Sequence, residues 1–109
     1  MERVAIVGIG QTKHVACREE LNYPELVYEA VSLALEDAAI GVDEIDNVIT
    51  TSNDFWDGRT ISSMATGDVS GGHGKNMSCV EGDGTFGAFY GLTRILSGAY
   101  GIIQLDGAR

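Results

Sequence analysis

Apolar residues recur in a regular pattern in five stretches of the chain, separated by polar and glycine-rich segments. Residues 3–8 form a continuous, β-branched apolar run ended by glycine, which is typical of a strand covered on both faces and indicates a parallel sheet. Apolar positions at helical spacing predict a helix within residues 22–41, and residues 48–50 and 100–105 are short runs that predict further strands. The functional interpretation rests on the remaining stretch, residues 76–98.

The first predicted helix has signals at both of its ends. Asn22 can cap the N-terminus, Glu25 stands three residues later as in a capping box, and Pro24 is tolerated in the first turn. Gly41 is predicted to close the helix as its C-cap. With the strands on either side, this helix forms a predicted right-handed βαβ unit.

Residues 76–98 combine a strand, a glycine-rich turn and a second helix. Gly82 and Gly84 supply the freedom of φ that a sharp strand-to-helix turn requires, and residues 85–97 carry apolar side chains at helical spacing. Such a turn exposes a side chain at its apex and points the unpaired N–H groups of the helix at whatever lies above them. These amides could stabilise a carbonyl oxygen that gains charge during a reaction.

Glycines continue into this second helix and give it one face of nearly bare backbone. Gly84, Gly87 and Gly91 lie at positions i, i+3 and i+7. Each costs roughly 0.5–1 kcal/mol of helix stability relative to alanine, so close packing against another element is the expected reason for them. The pattern therefore predicts a buried central helix.

A long segment, residues 52–75, separates the second and third predicted strands. It is rich in glycine and aspartate, and long loops in compact domains usually carry function or contact a partner. Two interpretations of Phe55 and Trp56 stay open: they anchor a partner, or they cover the domain's own core. The predicted order is thus β, α, β, long loop, β, α, β, which is an α/β fold with a mixed, mostly parallel sheet.

Composition narrows the class of protein. The chain has 109 residues, enough for one domain, and a formal net charge of −9, which argues against nucleic acid or an anionic membrane as a partner. No run approaches the ~18 apolar residues needed to span a bilayer, and the N-terminus lacks the features of a signal peptide. On these two grounds the protein is expected to be cytoplasmic. Cys17 and Cys79 have no CxxC spacing, so neither a metal site nor a disulfide framework is predicted, and both thiols are expected to be reduced.

The order of elements and several of their sequences resemble the first half of the N-terminal domain in the thiolase superfamily. The resemblance covers nearly the whole chain and is carried by RVAIVGIGQTKH, by ELVYEAVSLALEDAAIGVDEIDNVIT, and by the second helix ending in RILSGAY. The segment ALEDAAIGVDEID is especially similar to the archaeal and sterol-carrier-type branch. Residues 1–109 are accordingly interpreted as a partial thiolase-like N-terminal domain with a long loop at 52–75.

The resemblance implies two duplicated halves layered α-β-α-β-α, with a nucleophilic cysteine at the turn that accepts an acyl group from coenzyme A. It implies a coenzyme A thioester as substrate, no covalently bound cofactor, and association as a homo-oligomer or as a heteromer with another subunit of the thiolase pathway. The complementary half that supplies the acid and base is expected outside this chain, so the 109-residue piece alone is expected to be inactive.

The sequence departs from the family pattern at the turn itself. The family's Cys-x-Ser-Gly falls on Glu81-Gly82-Asp83-Gly84, and Cys79 lies two residues early. Either a local shift brings Cys79 to the apex as the catalytic residue, with Gly82 and Gly84 at the helix N-terminus, or Cys79 is a structural thiol and Asp83 or Glu81 caps the helix. The first alternative predicts a thiolase-like acyl-CoA acyltransferase acting on 3-oxoacyl-CoA. The second predicts a non-catalytic, thiolase-like scaffolding subunit of a heteromeric complex.

Overall fold

The computed structural model describes residues 3–13, 19–54, 64 and 66–107. This part of the chain is a small α/β fold of two helices and a three-stranded, all-parallel sheet. The elements are, in order, α1 (Tyr23–Ala38), a 3₁₀ turn (Val42–Glu44), β1 (Asn47–Ser52), β2 (Asn76–Glu81), α2 (Gly84–Leu96) and β3 (Ile103–Gly107). The strands lie in the order β2-β1-β3.

Helix α1 begins as its sequence predicts and ends earlier. The side chain of Asn22 accepts from the Glu25 amide at 2.9 Å, and the Glu25 carboxylate accepts in return from the Asn22 amide, so the capping box is confirmed. The C-cap prediction was wrong, because Ala39 and not Gly41 adopts the left-handed conformation, with φ +57°. Its amide donates to Glu36 O, and this bond closes the last turn before any glycine is reached.

Strand β1 is the central strand of the sheet, and all six of its residues are buried. It runs parallel to β2 from Asn47 opposite Asn76, and parallel to β3 from Asn47 opposite Ile103. Helix α2 covers the sheet face that carries Ile49 and Thr51, since Gly91 and Gly87 lie against these two side chains. Because side chains alternate along a strand, Val48, Thr50 and Ser52 point to the opposite face.

The prediction of an N-terminal strand was wrong. Residues 3–8 form no strand, and Ile6 is 86% exposed. The segment lies along α1, where the Ile9 amide donates to the Asp37 carboxylate at 2.9 Å. Gly10 permits this approach, since a Cβ there would lie 2.3 Å from Ala30 O. Both edges of β1 are already paired with β2 and β3, so the apolar run has no central position, and the sheet is wholly parallel among the described residues rather than mixed.

The prediction of a buried α2 was also wrong for this chain. Only Gly87 and Gly91 of the helix are buried, and Phe89 is 66% exposed. The glycines do allow the close approach that their spacing predicted, because a Cβ on Gly87 would lie 2.2 Å from Thr51 Cγ2. The error concerns the other face of α2, which no described element covers.

The long loop is described only in part. Residues 67–71 form turns. Phe55 and Trp56 lie outside the described residues, so their two interpretations stay predictions. Cys17 also lies outside them. None of the helices in the described ranges is both long enough and apolar enough to cross a bilayer.

Candidate functional site

Gly82 and Asp83 form the turn between β2 and α2. Gly82 has φ +139°, and a Cβ there would lie 2.8 Å from the Phe86 ring, so the turn needs glycine at this position. The Gly82 amide donates to Ser52 O at 3.0 Å, which ties the turn to the end of β1. Gly84 has no atom within 4 Å of its Cβ position, so packing does not require glycine there.

Asp83 occupies the N-terminus of α2. Its backbone is extended, and its carboxylate accepts from the Thr85 amide at 3.0 Å and from the Phe86 amide at 3.4 Å. A carboxylate is favoured here because it meets the positive end of the helix dipole and two amides that lack helical partners. The leading amides of α2 are therefore already bonded to a side chain of the protein.

A cleft of about 630 Å³ lies in front of this turn, at the carboxyl ends of the parallel strands. Parallel α/β sheets commonly bind ligands at this edge. The lining comes from the ends of β1 and β3 and from the turn: Thr51, Ser52, Asn53, Gly82, Asp83, Gly84, Phe86, Leu105 and Gly107. Among the lining residues that the structure describes, Asp83 is the one charged residue, and none is a lysine or an arginine.

Cys79 is not brought to this cleft. It lies inside β2, opposite Thr50 of β1, and its thiol is free and exposed. The preceding residue, Ser78, points towards α2, where its hydroxyl lies 3.5 Å from Tyr90 OH, so Cys79 points to the opposite face of the sheet. The strand continues in register to Glu81, and no two-residue shift carries Cys79 to the apex.

On that opposite face, Cys79 has a polar neighbour. Its sulfur lies 3.7 Å from the hydroxyl of Ser52, and Ser52 donates to the Asp54 carboxylate at 2.7 Å. Of the predicted site residues, Gly82 and Gly84 thus both line the cleft, whereas Cys79 does not line it and lies on the sheet face opposite α2. The neighbours Ser52 and Asp54 were not predicted, and strand alternation and register were the signals that could have identified Ser52.

At its other end, α2 is fixed to the sheet through Arg94. The guanidinium donates to Asn76 Oδ1 at 2.8 Å and to Tyr100 OH at 2.7 Å, and it lies 4.5 Å from the centre of the Tyr100 ring. Hydrogen bonds from Ser78 and Arg94 lower the pKa of Tyr90 beside it. This network holds the helix in place at the edge of the sheet away from the cleft.

The described ranges contain no group of three or more His, Cys, Asp or Glu residues that could hold a metal ion. Comparison with known proteins identified no family model that matches the chain. It also identified no curated protein with significant similarity.

Proposed function

We propose that this chain is a non-catalytic, thiolase-like scaffolding subunit of a heteromeric complex that handles acyl-CoA. The observation that supports this proposal best is the position of the Asp83 carboxylate on the leading amides of α2. In the acyltransferases that the sequence resembles, the corresponding amides assist a cysteine. Here they hold a carboxylate, and Cys79 lies on the other face of the sheet.

The charges at the cleft also support a non-catalytic role. A thiolate placed beside Asp83 would be repelled by the carboxylate, and a carbonyl oxygen that gains charge would compete with it for the same two amides. Coenzyme A carries several phosphate charges, while the described lining residues of the cleft include no cationic side chain and the chain has a net charge of −9. These charges support a turn that, among the described residues, has the strand-to-helix geometry the resemblance implies and no positive side chain to bind coenzyme A.

The outer face of α2 supports a role in assembly. Its exposed large side chains are Phe86, Phe89, Leu92 and Leu96. Arg94 is the helix's one charged residue, and its guanidinium is bonded to Tyr90, Tyr100 and Asn76. An uncharged, apolar helix face of this kind is typical of a surface that another layer of protein covers. A complementary thiolase-like layer is the partner that the resemblance implies.

The test is whether the chain accepts an acyl group. Purified protein is exposed to acetoacetyl-CoA, and acylation of each cysteine is followed by mass spectrometry of its peptides. We expect Cys79 to be acylated no faster than the same cysteine in the urea-unfolded chain, because no amide or base of the cleft assists it. Fast, stoichiometric acylation of Cys79 that is lost in Cys79→Ala and kept in Cys17→Ala would overturn the proposal.

That overturning result would favour the second candidate, a thiolase-like acyl-CoA acyltransferase. The contact between Cys79 and Ser52 is the specific observation in its favour, because the Ser52 hydroxyl donates to the Asp54 carboxylate and can relay the thiol proton to it. The sulfur of Cys79 would form a bond to the thioester carbonyl carbon, the bond from that carbon to the sulfur of coenzyme A would break, and the released coenzyme A thiolate would take up the proton. Ser52→Ala should then slow acylation of Cys79.

A further inference from the structure

The sheet face opposite α2 contains a buried carboxyl group. Asp106 of β3 is 8% exposed, and both of its carboxyl oxygens are inaccessible to solvent. Neither oxygen has a hydrogen-bond partner among the residues that the structure describes. The neighbouring Gln104 is equally buried, and both polar atoms of its amide also lack a partner there. An ionised carboxylate in such a setting costs far more free energy than a neutral acid.

A turn formed by residues 66–72 lies over this carboxyl group. Ser70 and Thr66 are fully buried, and the hydroxyl of Ser70 donates to Thr66 O at 2.7 Å. The Ser70 amide donates to the same oxygen at 2.9 Å, and the Gly72 amide donates to Gly67 O at 2.8 Å. The Ser70 hydroxyl therefore donates its hydrogen bond within the turn and not to Asp106, although the hydroxyl lies beside Asp106.

Within the described part of the chain, the other groups around Asp106 provide no positive charge. Thr50 faces it from β1, Gln104 from its own strand and Ser70 from the turn, and these three polar side chains are neutral. Cys79 is in the same row of the sheet, on the far side of Thr50. Helix α1 also packs on β3, and its buried side chains, Val27 and Val31, are apolar. Burial therefore outweighs the three polar neighbours and raises the pKa of Asp106 above its ordinary value of 3.8.

We propose that Asp106 is a proton-binding site that controls the docking of the 66–72 turn on the sheet. The turn is docked while the carboxyl group carries its proton, and it is released when the group ionises. Release exposes Asp106 to water and uncovers the sheet face that carries Thr50. Since the ordinary pKa applies in the open state and the raised pKa in the docked state, opening increases with pH between the two values and then levels off.

Hydrogen exchange of the Ser70 and Gly72 amides tests this proposal, because both are bonded within the turn. Protection, corrected for the intrinsic pH dependence of exchange, should fall as pH rises from about 4 to about 8, by about tenfold for each unit by which the pKa of Asp106 is raised. Protection of the Ala39 amide at the end of α1 should stay constant. In Asp106→Asn the fall should disappear, whereas Asp68→Asn, which neutralises an exposed carboxylate of the same turn, should behave as the original chain.

Protection of Ser70 and Gly72 that does not change with pH, or that falls equally in Asp106→Asn, would overturn the proposal. If Asp106→Asn does not fold, the carboxyl carbon of Asp106 is titrated by NMR in the unmodified chain. A pKa above 3.8 that coincides with the loss of protection supports the proposal, and a pKa at or below 3.8 overturns it.

Discussion

The two faces of the sheet are packed by opposite means. On the α2 face, glycines bring a helix backbone against Ile49, Thr51 and Leu105, so the fit depends on shape. On the other face, a carboxyl group, an amide and a hydroxyl of the sheet are buried together with the Ser70 hydroxyl of the 66–72 turn, so the fit depends on protonation and hydrogen bonding. The same sheet is therefore sensitive to added volume on one side and to added charge on the other.

The largest expected effect comes from adding volume on the α2 face. In Gly87→Val, the new Cβ would meet Thr51 Cγ2 at 2.2 Å and Leu105 Cδ1 at 2.6 Å, so we expect a loss of about 3 kcal/mol in the free energy of unfolding by urea denaturation. Gly91→Ala is the matched control, since its Cβ would have 3.5 Å to the nearest atom, and it should gain up to about 1 kcal/mol from helix propensity. Equal losses in both variants would show that the two glycines are not packed differently.

The next effect comes from removing charge on the opposite face. Because the folded pKa of Asp106 is raised, its contribution to stability is complete below the ordinary pKa of 3.8 and is lost as pH rises through the folded pKa. Asp106→Asn should therefore raise the free energy of unfolding at neutral pH, by about 2 kcal/mol, and change it little in acid. Denaturation at both pH values measures this, and a variant that is less stable than the original chain at neutral pH would contradict it.

A smaller effect is expected at the cleft. Asp83→Ala removes the acceptor of the Thr85 and Phe86 amides and should lower the free energy of unfolding by about 1 kcal/mol. Asp83→Asn keeps an oxygen that can accept and should lose less. Thermal unfolding of the two variants tests the assignment of Asp83 as the N-cap, which an alanine variant as stable as the original chain would refute.

The smallest effect on stability is expected on the outer face of α2. Phe89 is two-thirds exposed, so Phe89→Gln should change the free energy of unfolding by no more than about 0.5 kcal/mol. Binding of an environment-sensitive hydrophobic dye should nevertheless fall, because the variant removes a large part of the exposed apolar surface. Unchanged dye binding would mean that this face is covered in solution.

Features of the structure that depend on a few neighbouring residues were predicted correctly from the sequence. The capping box at Asn22 and the glycine requirement at Gly82 depend on a few neighbouring atoms, and both are confirmed. Which strands pair in the sheet depends on the whole chain. Residues 3–8 have the apolar pattern of a strand covered on both faces, but both edges of β1 are already paired with β2 and β3. The exposure of α2 could not be predicted from its own periodicity, since glycine spacing shows which face packs closely and not how many layers cover the helix.

At the candidate site, too, local features could be predicted from the sequence, whereas features that depend on distant residues could not. Helical and strand patterns placed the turn correctly, and the cap by Asp83 was one of two alternatives that the residues left open. Register then separated them, because β2 pairs with β1 without a shift as far as Glu81 and so holds Cys79 within the strand. Asp106 gave no signal, since a single aspartate near the end of a strand is ordinary in sequence and its burial depends on a turn more than thirty residues away.

We infer that position 83, and not Cys79, is the point of the turn at which a thiolate would be stabilised. Asp83→Cys places a thiol on the leading amides of α2 and in the cleft, where the positive end of a helix stabilises a thiolate. After timed exposure to acetyl-CoA, peptide mass spectrometry compares the new thiol with Cys79 in the same molecule. We predict that the new thiol is acylated at least about tenfold faster; faster acylation of Cys79 would contradict the account.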